Sequence, residues 1–230
     1  MTADNTTSFD VDPPMPVGDW DATARMVNAG YELVFELATA LLRAHCPAEA
    51  HLLLVGAGGG MEVRTFAAAE PGWRLTGVDP SAEMLALAQA KAEASGQAGR
   101  VRLLRGTVDD LPAEARFDAA TLFYTLMYLP DDGSKLQLLR GIAARLRPGA
   151  LFLLVDATTD RRARFLPAWR RYTEARGMPA AQMAALLERL AGRVNAVTEA
   201  RELALLDEAG FHDVAPFCAV FHGTGWVATV

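Results

Sequence analysis

Apolar positions along this chain follow two rhythms. From His51 onward, short and nearly continuous apolar runs alternate with stretches whose apolar residues recur every three or four positions. The first rhythm marks strands covered on both faces, the second helices with one buried face. The runs fall at 51–55, 74–78, 101–104, 117–122 and 151–155. Helical spacing fills 61–70, 80–94 and 133–146, with stops at Pro71-Gly72, Ser95-Gly96 and Arg147-Pro148-Gly149. This βαβα order with short joints predicts an α/β fold: a doubly wound, mostly parallel, seven-stranded sheet.

After Asp156 the rhythm changes. Helices are predicted over 161–176 and 179–191, parted by Gly177-Met178-Pro179, and form an insertion at 157–198. A further helix at 199–209 stops at Gly210, and strands follow at 214–221 and 225–230. Their joint, His222-Gly223-Thr224, is too short for a crossover, so the last strand must run antiparallel. Ahead of the sheet, 1–16 is rich in Asp, Pro and Thr and reads as disordered or loosely draped. A short helix is predicted at 18–26. A longer one at 31–44 should pack Val34, Leu37, Ala38 and Leu41 on the domain. Residues 1–45 thus form an N-terminal segment with helices, and 1–230 reads as one domain without internal repeats.

Composition narrows the partners. A formal charge of −6 argues against nucleic acid, whose phosphates need clustered Lys and Arg. The one dense basic stretch, Arg161, Arg162, Arg164, Arg170 and Arg171, reads either as a solvated helix face or as a patch for an anion. No run is long enough to span a bilayer, and the polar, acidic start lacks the regions of a signal peptide, so no membrane association and a cytoplasmic location are expected. Cys46 and Cys218 lie far apart with no Cys/His cluster. They are expected to be buried thiols, with no disulfide and no metal.

The candidate chemistry begins where the first strand ends. Leu52-Leu53-Leu54-Val55 runs into Gly56-Ala57-Gly58-Gly59-Gly60, and the next strand ends in Asp79. Glycines at a helix N-terminus let a ligand approach backbone N–H groups, and an acid at the following strand tip can take both ribose hydroxyls. A dinucleotide fingerprint needs a small third residue for close helix–strand packing. Met61 or Val63 falls there, so that spacing fails, whereas Gly56, Gly58 and Gly60 fit G-x-G-x-G.

That spacing and element order resemble the class I S-adenosylmethionine-dependent methyltransferases, over about 50–156 and 199–230. Gly77-Val78-Asp79-Pro80-Ser81-Ala82-Glu83-Met84-Leu85 is similar to the family's ribose-binding acid and following helix. Gly106-Thr107-Val108-Asp109-Asp110 resembles its adenine loop. Phe117-Asp118-Ala119-Ala120, Leu146-Arg147-Pro148-Gly149 and Leu206-Asp207-Glu208-Ala209-Gly210-Phe211 also match in order. The resemblance implies a Rossmann-like methyltransferase sheet. It implies S-adenosyl-L-methionine as cofactor, bound by Gly56, Ala57, Gly58, Gly60, Asp79, Pro80, Met84, Thr107, Val108, Asp109 and Phe123. Two positions depart from the pattern. Leu54 stands where an acid usually precedes the glycines, so a partner for the methionyl amine must come from elsewhere. Thr107 replaces an Asp, and either Thr107 or Asp109 would meet the adenine amine.

Arg25 to Gly30-Tyr31 and Trp169-Arg170-Arg171-Tyr172 loosely resemble segments of enzymes that make carboxy-S-adenosylmethionine. The likeness places Tyr31 beside the methionyl end and makes the insertion a candidate dimer element. Methyl transfer needs nucleophile, methyl and sulfur in line, and a base only for a protonated nucleophile. The acceptor is expected beyond strands four and five. Phe123, Tyr124, Thr125, Met127 and Tyr128 follow strand four. Tyr124 and Asp156 are the catalytic candidates, with Asp156 as base; His222 is weaker and reads better as a solvated turn residue. Trp169, Tyr172 and Met178 are expected to wall the acceptor's pocket. The first expectation is methyl transfer to a small molecule. A carboxy-S-adenosylmethionine synthase, with Arg161, Arg164 or Arg193 as a carboxylate clamp, and a silent cofactor-binding module are the alternatives.

Overall fold

The computed structural model describes residues 10–230, and the expectation for residues 1–9 lies outside them. Seven strands form one sheet: β1 (His51–Val55), β2 (Arg74–Asp79), β3 (Val101–Arg105), β4 (Phe117–Phe123), β5 (Leu146–Ala157), β6 (His212–Val220) and β7 (Gly223–Thr229). Their order is β3-β2-β1-β4-β5-β7-β6. All neighbours pair in parallel except β7, which runs antiparallel to both β5 and β6. The doubly wound sheet and the antiparallel last strand are therefore as expected.

The apolar runs explain the layers. Leu52 and Leu54 point into one cluster, with Val63, Phe66 and Phe35. Leu53 and Val55 point into the other, with Leu139, Ile142 and Leu205. Period-two alternation thus feeds two cores, and both faces of the sheet are covered. The first core lies under α2 (Tyr31–His45), α3 (Met61–Ala69) and α4 (Ala82–Ala94). The second lies under α5 (Ser134–Ala143) and α8 (Glu199–Glu208). No helix among the described residues is long and apolar enough to cross a membrane.

Three boundaries differ from the sequence pattern. Leu146 was predicted as helix but already belongs to β5, paired with Phe117 across a bulge, because Arg147-Pro148-Gly149 interrupts the register without ending the strand. Gly223 and Thr224 belong to β7, leaving Phe221 and His222 as the tight joint. The described part of the N-terminal segment is tied down rather than draped. Asp10 accepts hydrogen bonds from Ser81 Oγ and from the Ala82 and Glu83 amides at the start of α4, and Asp12 pairs with Arg193 of the insertion, after its second helix.

The insertion folds as α6 (Thr159–Ala175) and α7 (Ala180–Leu190), with its own small core of Trp169, Met178, Met183 and Leu186. It also packs on α1 (Trp20–Val27): Trp169 Nε1 donates to Val27 O at 2.6 Å. Between β1 and β4 the strand order reverses, opening a crevice at the carboxyl ends of the strands.

Candidate active site: two cavities meeting at Tyr124

The glycine loop sits at this crevice. Gly56 and Ala57 donate their N–H groups to Val78 O at 2.9 and 3.1 Å, Gly58 to Asp79 Oδ2 at 2.9 Å, and Gly59 to Met84 O at 3.4 Å. The loop amides are therefore held by β2 and α4. The expectation that they face a ligand carboxylate is corrected: the loop offers a bare floor, and the spare donors at this helix end are the first-turn amides of α3. A Cβ at Gly58 would lie 2.7 Å from Asp79 Oδ2 and 2.8 Å from Met84 Cβ, so only glycine fits. Any larger residue strikes the protein before it strikes a ligand.

Asp79 uses both carboxylate oxygens locally, with Oδ1 accepting from Ser81 N at 2.9 Å. It still lines a cavity of about 210 Å³, so helix-start capping and ligand contact coexist. Gly56, Gly58, Pro80, Met84, Thr107, Val108, Phe123 and Tyr31 share that lining, as expected. Ala57, Gly60 and Asp109 do not. Ala57 is fully buried, Gly60 abuts Ala88, and Asp109 is exposed beside Gly141 because the Thr107 cap turns it outward. Glu62, Trp20, Asn28 and Phe35 also line the cavity, and sequence reasoning missed them.

Glu62 is the notable omission. Only 5% exposed, it accepts a hydrogen bond from Thr121 Oγ1 on β4. Burial pushes its carboxyl up to about 8, opposed by the Thr121 hydrogen bond and reinforced by the Asp79 charge. Burial raises Asp79 too. The residues around this cavity include two carboxylates and no Lys, Arg or His.

A second cavity of about 100 Å³ adjoins it. Trp20, Ala24, Asn28, Tyr124 and Tyr128 line both. Tyr124 has a φ of 53°, a left-handed conformation uncommon outside glycine and found often at functional sites. Its hydroxyl is buried with no hydrogen-bond partner among the described residues, and burial raises its pKa far above the ordinary tyrosine value. It stays protonated, so it can donate or position but cannot serve as base.

The second cavity is largely apolar, with Arg162, Asn28, His222 and the two shared tyrosines as its polar lining. Leu186, Leu187, Leu190 and Val194 line it together with Trp169 and Met15. Tyr172 and Met178 were expected here but do not line it. Met178 is buried in the insertion's core, and Tyr172 packs edge-on against Phe221, their ring centres 5.6 Å apart. His222 also departs from expectation. It is 6% exposed, stacked 4.3 Å from the Trp169 ring, and its Nε2 lies 2.9 Å from Asn28 Oδ1. With Nε2 as the donor, Nδ1 is a bare acceptor without a partner among the described residues. Burial, aided by Arg162 and Arg161, pushes its pKa down to about 4. The histidine is a buried neutral ring because α6 covers the β6–β7 joint.

Asp156, the expected base, lines neither of these cavities. It is fully buried, bonded to the Ala157 and Met127 amides, with Lys135 nearby. Burial raises it to about 7 against the pull of Lys135. Lys135 Nζ donates to Leu126 O at 2.6 Å. Together the pair braces the 124–128 turn from behind. Nor do Arg161, Arg164 and Arg193 converge into a clamp. Arg161 bonds Val220 O and Glu199, Arg164 lies over Phe165, and Arg193 holds Asp12. Cys46 and Cys218 are free and half-buried.

Residues 52–149 match a methyltransferase domain family. The chain is 31% identical over 153 residues to an O-methyltransferase of Aspergillus sclerotiorum, covering 61% of this chain and 56% of that protein. It is 37% identical over 97 residues to a demethylmenaquinone methyltransferase of Lactiplantibacillus plantarum, covering 42% and 40%. The chain thus spans about half the length of the curated relatives it matches. Magnesium protoporphyrin IX methyltransferase from Synechocystis, solved with S-adenosylmethionine bound, superposes with a TM-score of 0.67 at 15% identity, covering 99% of this chain and 98% of that one. An O-methyltransferase fold from Nostoc punctiforme gives 0.68 at 21% identity, covering 93% and 59%. At such identities these two structures speak for the fold alone. Residues 52–149 thus match a methyltransferase domain, and the sheet order, glycine loop and strand-tip acid around it are similar to those of the class I S-adenosylmethionine-dependent methyltransferases.

Proposed function

We propose that this protein methylates a hydroxyl group on a small, largely apolar acceptor, with the cofactor in the larger cavity and the acceptor in the smaller. One observation carries the reading: two cavities of opposite character meet at Tyr124. The larger has two carboxylates and no basic side chain, which suits a ligand bearing a sulfonium and an ammonium and disfavours a dinucleotide's pyrophosphate. The glycine-loop lining of the larger cavity and the orphaned Tyr124 hydroxyl fit the same cofactor. When bound, it supplies an electrophilic methyl group.

The chain's own residues do the rest. In this reading Asp79 anchors the ribose, and Thr107 and Val108 support the adenine; that all three line the larger cavity supports it. The apolar walls from α7 exclude water from the acceptor. His222 stays neutral at physiological pH and accepts a hydrogen bond from the acceptor hydroxyl on Nδ1, orienting that oxygen, and the hydroxyl proton leaves to solvent as the new bond forms. Asn28 fixes its tautomer, and the Trp169 ring fixes its plane. The names of the Aspergillus relatives, both O-methyltransferases, favour oxygen as the acceptor atom.

The test uses methyl-labelled S-adenosylmethionine with a panel of phenols and hydroxylated polyketide-like aromatics, read by mass spectrometry. Label in an acceptor is expected. In His222→Ala turnover should fall about 10²-fold or more while cofactor affinity is unchanged. Label reaching no acceptor, or an unaffected His222→Ala, would overturn the reading.

A further inference from the structure

Two acids face the larger cavity, and only one of them is committed. Asp79 already takes the Gly58 and Ser81 amides on its two oxygens. Among the described residues Glu62 has one hydrogen-bond partner, the Thr121 hydroxyl, and no cation lines the cavity beside it. A buried carboxylate without a positive partner is costly unless something compensates it. The register shows where this one lies. Leu54 of β1 pairs with Thr121 of β4, so their side chains share a sheet face. Leu54 is fully buried and offers no charge. Glu62 reaches the same face from the first turn of α3, one helix start beyond the glycine loop.

We infer that Glu62 is the binding site for the ammonium group of the cofactor's amino-acid arm, and that it gives up a proton when that arm binds. The inference rests on the cofactor reading above. Glu62 lines the cavity from the first turn of α3, and Asp79 lines it from the tip of β2. The same α3 start supplies amides for the arm's own carboxylate. Three groups face Glu62 from the elements packed against it: Tyr31 on α2, Asp79 at the tip of β2, and Thr121 on β4. None is basic. In the free protein burial therefore keeps Glu62 largely protonated at neutral pH. An ammonium at hydrogen-bond distance favours the ionised form, and the proton leaves to solvent. No other bond changes.

Calorimetry tests this with two thioethers that share one nucleoside, S-adenosylhomocysteine, which carries the amino-acid arm, and 5′-methylthioadenosine, which lacks it. Each is titrated at neutral pH in two buffers of different ionisation enthalpy. Wild type should release a fraction of a proton with the first ligand and none with the second. Glu62→Gln keeps an acceptor for Thr121. It should bind S-adenosylhomocysteine at least about tenfold more weakly, lose the proton release, and bind methylthioadenosine within about twofold of wild type. Glu62→Asp retains the charge but draws it back, and should fall between; it also covers the case in which the Gln variant folds poorly. Equal losses for both ligands, or proton release that persists in Glu62→Gln, would overturn the assignment. Failure of wild type to bind either ligand would instead strike the cofactor reading.

Discussion

The two cavities share the Tyr124 ring but are built on different principles. The larger lies at the carboxyl ends of β1, β2 and β4, and its floor is backbone held by short-range bonds. Its polar groups are acids. The smaller is assembled from pieces distant in sequence: Met15 from the N-terminal segment, Leu186 to Val194 from the insertion, and His222 from the last hairpin. Its neutral histidine depends on Trp169 and Asn28 for position. On the proposed reading, a strand-and-loop frame holds the cofactor, and helices added around it shape the acceptor's pocket.

That contrast can be broken most severely at the loop. Gly58→Leu should lower cofactor affinity more than about a hundredfold and cost about 1–3 kcal/mol of stability, because the side chain overlaps Asp79 and Met84. Calorimetry and thermal melts read the two effects. His222→Ala comes next: turnover should fall about 10²–10⁴-fold with an unchanged cofactor isotherm, isolating the smaller cavity. Asp79→Ala should weaken cofactor binding by about 1–3 kcal/mol, since a charged hydrogen-bond partner is lost. Leu187→Trp fills part of the smaller cavity and should raise acceptor KM about tenfold without touching cofactor affinity.

The smallest effect is on pH dependence of stability. Burial raises Asp156 to about 7, Glu62 to about 8 and Glu202 to about 9. Each holds its proton more tightly folded than unfolded, so this stabilisation is complete below the ordinary carboxylate range and is lost as pH rises through those values. His222 acts oppositely, being held neutral in the folded state, so its contribution fades as pH falls below about 6.5. Three such acids outweigh one histidine, so melting temperature should be highest near the ordinary carboxylate range, about pH 4, and decline toward about pH 9. A melting temperature that climbs through the alkaline range would contradict the burial of these acids.

The same contrast explains what could be read before any coordinates. Strand periodicity and glycine spacing are local signals, so the sheet, the loop and the place of Asp79 at a strand tip were legible. Glu62 left a faint trace: it falls four residues before Phe66, on the apolar side of an amphipathic stretch, where a solvated acid has no reason to be. Asp156 sits at a strand tip as expected, but its carboxylate is spent on the Ala157 and Met127 amides and on Lys135, a burial that strand periodicity does not reveal. His222 left no trace at all. Its burial comes from Trp169, 53 residues earlier in the chain.

The division of labour between the cavities is tested most directly by titrating S-adenosylmethionine into wild type, Asp79→Ala and Leu187→Trp under one set of conditions. The expected result is a single-site isotherm for wild type, a marked weakening for Asp79→Ala and no change for Leu187→Trp. Binding that survives the loss of Asp79 but fails in Leu187→Trp would put the cofactor in the wrong cavity and contradict the account.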